Sequence, residues 1–431
     1  MMPIISALRQ LDPVLRMGRI RRVLPTLIEA DGPNVPIGTL CRIGDANLLA
    51  QTVGLDNDKV SLAPFGDVAT ITPGMLVCAC DADARLSVGD GYACRSIDAL
   101  GRPIDGGGAI HGTERIAFEA PPISPLDRIT PSIRLNTGLR AIDALMPLVR
   151  GQRLGIFAAS GVGKTTLLNQ FGRHTQADRI VICLIGERGR EVEALWNDGL
   201  IASDRARAVL VAATSDEAAA LRIRAVYQSL ALARYWRDQG LDVLFLLDSV
   251  TRLAMAMRET GLAAGEPPMM RGYTPSVFAA MPRIVEQCGA LRSGGSISAL
   301  FTVLSESDDV DDPISEMMKS VLDGHIILSR TMAERGHFPA IDIGRSISRL
   351  ASTVMDEGQK NLAAKARKSI ATYDNARMLI ETGLYKAGSD FDIDQAVAQH
   401  PALDEFLQQQ DDYTDVPAMF DRLSTIIGAS H

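Results

Sequence analysis

A phosphate-binding loop lies in the first half of the chain, where the sequence reads Ala158-Ala159-Ser160-Gly161-Val162-Gly163-Lys164-Thr165. The apolar run at residues 154–157 precedes the loop, and Leu167, Leu168 and Phe171 follow it at the spacing of one helix face. A loop of this kind needs a strand before it and a helix after it, and both patterns are present. We therefore expect an α/β fold with a phosphate site at the end of a buried strand.

The residue types of this loop suit contact with a nucleoside triphosphate. Glycine lets backbone N–H groups turn toward phosphate oxygens, Lys164 supplies positive charge to the β- and γ-phosphates, and Thr165 carries a hydroxyl that suits Mg²⁺. We predict Mg²⁺ with ATP as the cofactor, Lys164 as a catalytic residue, Thr165 as a metal ligand, and nucleotide contacts from Ser160, Gly161, Val162, Gly163, Lys164, Thr165 and Thr166. The alternative is an ordinary glycine-rich turn, since Ala158 stands where the strictest form of the motif has glycine.

An aspartate, Asp248, closes another apolar run, at residues 243–247. Beside a phosphate loop, a carboxylate in this place organises Mg²⁺, directly or through water, and we predict that role for Asp248. In isolation the same residue would be read as a turn or helix cap. Arg252 follows one helical turn later, where it either reaches a phosphate or pairs with Asp248.

Glu187 and Arg188 follow the apolar run at residues 180–185, which places them at the carboxyl edge of the expected sheet. A carboxylate there can polarise the water that attacks the γ-phosphate, and an arginine can offset the developing charge. Both are candidate catalytic residues. From spacing alone, a solvated charge cluster with local salt bridges explains them equally well.

The chain divides into four stretches that differ in their pattern of apolar, polar and turn-forming residues. Residues 1–15 read as a short amphipathic segment, and residues 16–85 as short strands broken by turn signals, which favours a small β-barrel. Residues 86–350 alternate apolar runs with helical patterns, which predicts a mostly parallel sheet with helices on both faces, and residues 351–431 are helical. In the third stretch we expect a long helix at residues 216–239 and strands at 154–157, 180–185, 208–212, 243–247, 297–304 and 325–329.

The composition narrows the functional classes. The 431 residues carry a net charge of −8, which argues against a nucleic-acid coat protein and against a strongly basic membrane-binding surface. The longest apolar stretches suit buried strands and are too short to span a membrane. We therefore expect a cytoplasmic protein that binds no nucleic acid.

Several blocks, in the same order, resemble the ATPases of type III protein secretion, flagellar or injectisome, which are relatives of the catalytic subunits of rotary ATP synthases. The resemblance runs over nearly the whole chain and is carried by residues 150–157, 184–192, 248–252, 265–268, 271–278, 322–326, 338–342 and 346–349. It implies an N-terminal β-barrel, a RecA-like P-loop core and a C-terminal helical domain. It also implies ATP hydrolysis that energises protein export, releases chaperones and delivers substrates to the membrane export gate. Arg150 and the Gly161-Val162-Gly163 sequence favour the flagellar relatives.

The resemblance also implies roles for single residues and for partners. Glu187 matches the catalytic glutamate, Arg349 matches the arginine finger that acts in a neighbouring subunit, and Phe338 matches the aromatic position that stacks on adenine. The implied partners are further copies of the chain in a homohexamer, a central stalk protein, a peripheral regulator of the ATPase, export-gate membrane proteins and chaperone–substrate complexes. The implied location is cytoplasmic, with peripheral association at the inner membrane.

A short acidic segment has two possible interpretations. Residues 308–312 contain four aspartates in a position that resembles the loop facing the central shaft of rotary relatives, and an acidic surface loop is the other interpretation.

A rotary ATP synthase subunit is one alternative function, although block 271–278 is more similar to the export ATPases. A hexameric RNA translocase of the termination-factor type is the second. Its barrel would need exposed aromatic side chains, and Phe65 is the single aromatic residue at 16–85.

Overall fold

The computed structural model describes residues 15–45, 47–81, 84–130, 132–159, 161–200, 202–304, 312–410 and 412–428. Within these residues the chain forms a closed barrel, a nine-stranded sheet with helices around it, and a C-terminal group of helices. This confirms the fold that the sequence predicts. The expected amphipathic segment at the N-terminus lies almost wholly outside the described residues.

Six short strands form the N-terminal barrel: β1 (Met17–Val23), β2 (Ile28–Asp31), β3 (Leu40–Ile43), β4 (Leu48–Asp56), β5 (Lys59–Pro64) and β6 (Leu76–Ala79). They close in the spatial order β1-β2-β5-β4-β3-β6. Because successive side chains of a strand point to opposite faces, alternate residues fill the interior. These interior residues include Ile20, Ile28, Ile43, Val60, Leu62 and Val77.

The remaining strands are β7 (Arg85–Val88), β8 (Arg95–Asp98), β9 (Glu114–Ala117), β10 (Arg134–Leu135), β11 (Leu148–Val149), β12 (Arg153–Ala158), β13 (Arg179–Ile185), β14 (Ala208–Ala213), β15 (Asp242–Asp248), β16 (Gly289–Ala290), β17 (Ser296–Leu304), β18 (Gly324–Ile327) and β19 (Ile347–Ser348). The central sheet has the order β19-β18-β12-β17-β15-β13-β14-β8, with β16 beside β17. The strands from β18 to β8 are parallel, whereas β16 and β19 are antiparallel to their neighbours. Strands buried on both faces explain the continuous apolar runs in the sequence.

The helices of the described residues are α1 (Arg140–Asp143), α2 (Lys164–His174), α3 (Gly189–Ala194), α4 (Ala202–Ala206), α5 (Ala219–Asp238), α6 (Val250–Ala263), α7 (Pro275–Glu286), α8 (Pro313–Val321), α9 (Arg330–Glu334), α10 (Glu357–Glu381), α11 (Phe391–Leu407) and α12 (Val416–Gly428). Among these helices, none is long and apolar enough to cross a membrane.

The six runs expected as strands all lie in the central sheet. Two expected boundaries differ from the structure, the end of one strand and the start of the long helix. The run that begins near residue 325 ends as a strand at Ile327, because Ser329 accepts a hydrogen bond from the backbone of Met332 and begins α9. The long helix begins at Ala219, because Glu217 accepts a hydrogen bond from the backbone of Thr214 and forms a turn there. Side chains that compete for backbone N–H groups explain both differences.

The C-terminal helices α11 and α12 contact α1, and apolar side chains of α10, α11 and α12 join the hydrophobic cluster that includes the phosphate-loop helix α2. Ala366, Phe406 and Leu423 are completely buried and belong to the same hydrophobic cluster as Phe171 of α2 and Ile182 of β13. Removing these apolar side chains from water stabilises both parts of the chain together. The C-terminal helices and the nucleotide-binding core therefore share one hydrophobic core.

Candidate nucleotide site

The candidate site lies at the carboxyl ends of adjacent parallel strands. The phosphate loop follows β12, Asp248 ends β15, and Glu187 lies two residues after β13. In the sheet these strands have the order β12-β17-β15-β13, so their carboxyl ends lie at one edge. Ligands of open α/β sheets bind in this place.

Lys164 joins the phosphate loop to both acidic residues. Its Nζ lies 2.6 Å from Asp248 Oδ1 and 3.6 Å from Glu187 Oε1. Lys164 is the first residue of α2, and Gly163 before it has a φ of 88°, a backbone conformation that favours glycine. The sequence therefore turns sharply from strand to helix and places the lysine ammonium between two carboxylates.

Asp248 is held by a hydroxyl from the neighbouring strand. Thr302 of β17 is completely buried, and its Oγ1 donates a hydrogen bond to Asp248 Oδ1 at 2.7 Å and lies 3.2 Å from the Leu247 carbonyl. Asp248 itself is 4% exposed. Two partners for one carboxylate oxygen fix the orientation of the group.

Glu187 is held by Arg252, whose Nη2 lies 3.2 Å from Glu187 Oε1. Gly186 makes this approach possible, because a Cβ atom there would lie 2.8 Å from Arg252 Cδ. Burial, a hydrogen bond with Glu191 and the charge of Asp248 raise the pKa of Glu187 to about 7, while Lys164 and Arg252 oppose the rise. The same hydrogen bond lowers the pKa of Glu191. A carboxyl group that exchanges its proton near neutral pH suits general base chemistry.

The other predicted residues have different positions. Thr165 is exposed and lines a small cavity with Glu187 and Asp248. Arg188 is exposed, and its Nη1 lies 3.9 Å from Glu191 Oε1. Arg349 is exposed, and its Nη2 donates to the Lys319 carbonyl at 3.3 Å.

Phe338 is 43% exposed beside the phosphate loop, where a Cβ atom on Gly163 would lie 3.3 Å from its ring. Gly161 is exposed, Val162 is buried and Thr166 is exposed, whereas Ser160 lies outside the described residues. Lys164 thus contacts Glu187 and Asp248, whereas Arg188 and Arg349 contact Glu191 and the Lys319 carbonyl.

Sequence reasoning missed Thr302 and left the partner of Arg252 open. A hydroxyl within the apolar run of β17 was the available signal for Thr302. Arg252 pairs with Glu187, which follows the neighbouring strand β13. The spacing of four residues between Asp248 and Arg252 suggested a local contact, but strand order decided the partner.

The donor set fits Mg²⁺ with a nucleoside triphosphate. Thr165 offers a hydroxyl and Asp248 a buried carboxylate, and oxygen ligands of this kind are those that Mg²⁺ prefers. Open space around a Cβ at Gly161 leaves room for a group to approach the loop backbone. Lys164 adds a cation on the same side.

Comparison with known proteins gives matches over nearly the whole chain. The family model for the ATP synthase alpha/beta family, nucleotide-binding domain, matches residues 138–348, and the model for the T3SS EscN ATPase C-terminal domain matches residues 355–424. The flagellum-specific ATP synthase of Bacillus subtilis is 42% identical over 97% of this chain and 96% of its own length. The type 3 secretion system ATPase of Xanthomonas euvesicatoria is 42% identical over 92% of this chain and 90% of its own length.

A solved structure extends the comparison to the fold. The assembled ATPase EscN of the type III secretion system of enteropathogenic E. coli is 40% identical, has a TM-score of 0.91, and covers 95% of this chain and 100% of its own. The phosphate loop with its two strand-end carboxylates and the matching domain order define a P-loop nucleotide-binding protein of the ATP synthase alpha/beta class. More narrowly, the chain belongs to the family of flagellum-specific ATP synthases and type III secretion system ATPases.

ATP hydrolysis is expected to follow the protonation state of Glu187. With a pKa of about 7, Glu187 is protonated at lower pH and cannot accept a proton from water. The kcat/KM for ATP should therefore rise with pH through about 7 and level off above it. Arg252→Ala removes a cation that lowers this pKa and should move the rise to higher pH. A kcat/KM that does not fall as the pH decreases through about 7 would contradict the role of Glu187 as the general base.

Thr302 offers a second test of the site. Thr302→Val keeps the shape but removes the hydrogen bond to Asp248, and bonds to charged groups contribute about 1.5–3 kcal/mol. The kcat/KM for ATP should fall by roughly tenfold or more, whereas Thr302→Ser keeps the hydroxyl and should remain near wild type. Equal rates for the valine and serine variants would show that the hydroxyl does not orient Asp248.

Proposed function

We propose that this protein is an ATPase that forms a homohexamer and energises type III protein export. The observation that carries the proposal is the convergence of Lys164, Asp248 and Glu187 at one sheet edge. Membership of a family whose relatives are named flagellum-specific ATP synthases and type 3 secretion system ATPases supports it. Both kinds of apparatus occur among these relatives, and the preference for the flagellar one rests on Arg150 and residues 161–163.

In the proposed reaction Lys164 contacts the β- and γ-phosphates of ATP, and the backbone of residues 160–166 surrounds them. Thr165 and Asp248 hold Mg²⁺, the latter directly or through water, and the ion offsets phosphate charge when it is bound. Glu187, oriented by Arg252, takes up a proton from the attacking water. Phe338 stacks on the adenine base, and Arg188 remains a candidate for charge stabilisation once ATP is present.

Arg349 is proposed to complete the site of a neighbouring copy. Its side chain is exposed and contacts Lys319 on the flank of the sheet, so it is available to a second subunit. The relative EscN has been solved as an assembled ATPase. In a ring of identical chains, each subunit would supply Glu187 to its own site and Arg349 to the next.

The proposed partners follow the family. EscN has been solved in complex with its central stalk EscO, and we propose a central stalk protein for this chain as well. Asp308, Asp309 and Asp311 of the acidic segment lie outside the described residues, while Asp312 begins α8 by accepting a hydrogen bond from the backbone of Ser315. A peripheral regulator, export-gate membrane proteins and chaperone–substrate complexes complete the proposal. The proposed location is the cytoplasmic face of the inner membrane.

The two alternative functions are less well supported. A match to the EscN C-terminal domain favours an export ATPase over a rotary ATP synthase subunit. Phe65 is half-buried and packs against the central hydrophobic cluster, so little of its ring is left for stacking on RNA. We therefore expect no nucleic-acid partner.

Two substitutions separate ATP binding from hydrolysis. Lys164→Ala should lose most ATP binding, because it removes the cation at the phosphates. Glu187→Gln should bind ATP with Mg²⁺ about as well as wild type but hydrolyse it at least about a hundredfold more slowly, because water activation is lost. Binding and steady-state hydrolysis measured on the same preparations provide the test. A wild-type rate for Glu187→Gln would refute its catalytic role.

Mixing two inactive variants tests the shared site. Arg349→Ala should reduce the rate by about 10³-fold, as other arginine fingers do, with a smaller effect on ATP binding. When Glu187→Gln and Arg349→Ala chains form mixed rings, some interfaces combine an intact Glu187 with an intact Arg349, and activity should return. Native mass spectrometry confirms that mixed rings are present. No recovery in verified mixed rings would contradict the action of Arg349 in a neighbouring subunit.

A further inference from the structure

The chain that leaves helix α11 passes beside the candidate nucleotide site before it enters α12. Residues 408–410 and 412–414, which we call the return segment, contact three parts of the nucleotide-binding core. These parts are the start of α1, the phosphate-loop helix α2 and the loop that carries Phe338. The return segment is therefore a polar connection between the C-terminal helices and the site.

Arg140, the first residue of α1, holds this segment in place. Its Nε donates to the Phe406 carbonyl at 2.7 Å, and its Nη1 lies 3.2 Å from both Asp412 Oδ2 and Thr414 Oγ1. The residue is only 8% exposed. Because a buried guanidinium needs acceptors in fixed directions, these contacts determine the course of the segment.

Gln409 is the best-anchored residue of the return segment and is 3% exposed. Its Oε1 accepts a hydrogen bond from the backbone of Arg140 at 2.8 Å. Its Nε2 donates to the carbonyl of Gly138 at 2.7 Å and to the carbonyl of Asp412. The side-chain amide thus uses its acceptor and both donors inside the protein.

The backbone of Gln409 connects this network to Phe338, the residue expected to stack on the nucleotide base. Its N–H donates to the Phe338 carbonyl at 2.9 Å. Beside it, the Gln170 side chain of α2 donates to the Gln410 carbonyl. Because Phe338 is 43% exposed, packing restrains its side chain only in part, and the hydrogen bond to its carbonyl adds a restraint on the backbone that carries the ring.

We propose that Gln409, anchored by Arg140, is a positioning residue that holds Phe338 where its ring can stack on the base of a nucleotide. This inference rests on the proposed function, since that function assigns base stacking to Phe338. It adds that the C-terminal helices set nucleotide affinity through the return segment. Lys164 and Asp248, which are proposed to hold the phosphates and Mg²⁺, make none of the contacts of Gln409, so phosphate binding should depend little on this residue.

The test compares a nucleotide with a ligand that has no base. Gln409→Ala removes the side-chain anchors of the return segment, so Phe338 is held less firmly and the Kd for ATP with Mg²⁺ should rise about three- to tenfold, a change that corresponds to the free energy of about one hydrogen bond. The Kd for inorganic tripolyphosphate with Mg²⁺ should stay within about twofold of wild type, because only the base contact is weakened. Gln410→Ala is the matched control: this side chain is exposed, and the variant keeps the carbonyl that Gln170 contacts. It should bind both ligands as wild type does.

A double mutant shows whether Gln409 acts through Phe338. Phe338→Ala alone should weaken ATP binding, and adding Gln409→Ala should then have little further effect, since the proposal has Gln409 act on the nucleotide only through the ring of Phe338. Multiplied effects, or equal losses for ATP and tripolyphosphate, would mean that Gln409 supports the fold in general, and the proposal would be wrong.

A variant of similar size keeps the test decisive if Gln409→Ala does not fold. Gln409→Met keeps the length of the side chain and loses the acceptor and both donors, and the same selective loss of ATP affinity is expected. Unchanged ATP affinity in a folded Gln409 variant overturns the inference. Failure of the wild-type chain to bind ATP would contradict the proposed function itself, so the two failures are distinguishable.

Discussion

The ion pair between Lys164 and Asp248 is the interaction on which the candidate site depends. Its charged atoms are 2.6 Å apart, and the two side chains are 12% and 5% exposed. A buried charge is strongly destabilising without a partner, so the strands that carry these two residues must keep their places. Strand β17 lies between them and supplies Thr302, which satisfies Asp248 from the side. The order β12-β17-β15 is thus the geometric condition for the ion pair.

The same cation helps to set the chemistry of Glu187. Burial, Glu191 and Asp248 raise the pKa of Glu187, whereas Lys164 and Arg252 oppose them, and the outcome is about 7. Without the two cations the carboxyl group would stay protonated at neutral pH, and without burial it would be a weak base. The position of Arg252 is therefore as important as that of Glu187. It depends on Gly186, the residue type that leaves room for the arginine side chain.

Local patterns made the phosphate loop, the strands and the candidates Glu187 and Asp248 predictable, because strand, loop and helix signals lie within a few residues of each other. The fold was predictable from the alternation of apolar runs with helical patterns and from the family resemblance. The partner of Arg252 and the role of Thr302 depend on which strands are neighbours, which a spacing rule does not contain. The return segment was unpredictable for the same reason, since Gln409 meets Arg140 and Phe338 across long separations in sequence.

Arg349 is connected to the phosphate loop through Asp323, Arg153 and strand β12. The backbone N–H of Arg349 donates to the Asp323 carbonyl at 3.0 Å, and the Asp323 carboxylate binds the side chain of Arg153 at 3.0 Å. Arg153 begins β12, a strand of six residues that leads directly into the phosphate loop. Strand β12 and the hydrogen bonds of Asp323 therefore connect Arg349 to the phosphate loop within one closely packed sheet. Because a packed interior deforms little, these contacts within one subunit set the position of Arg349 relative to the phosphate loop.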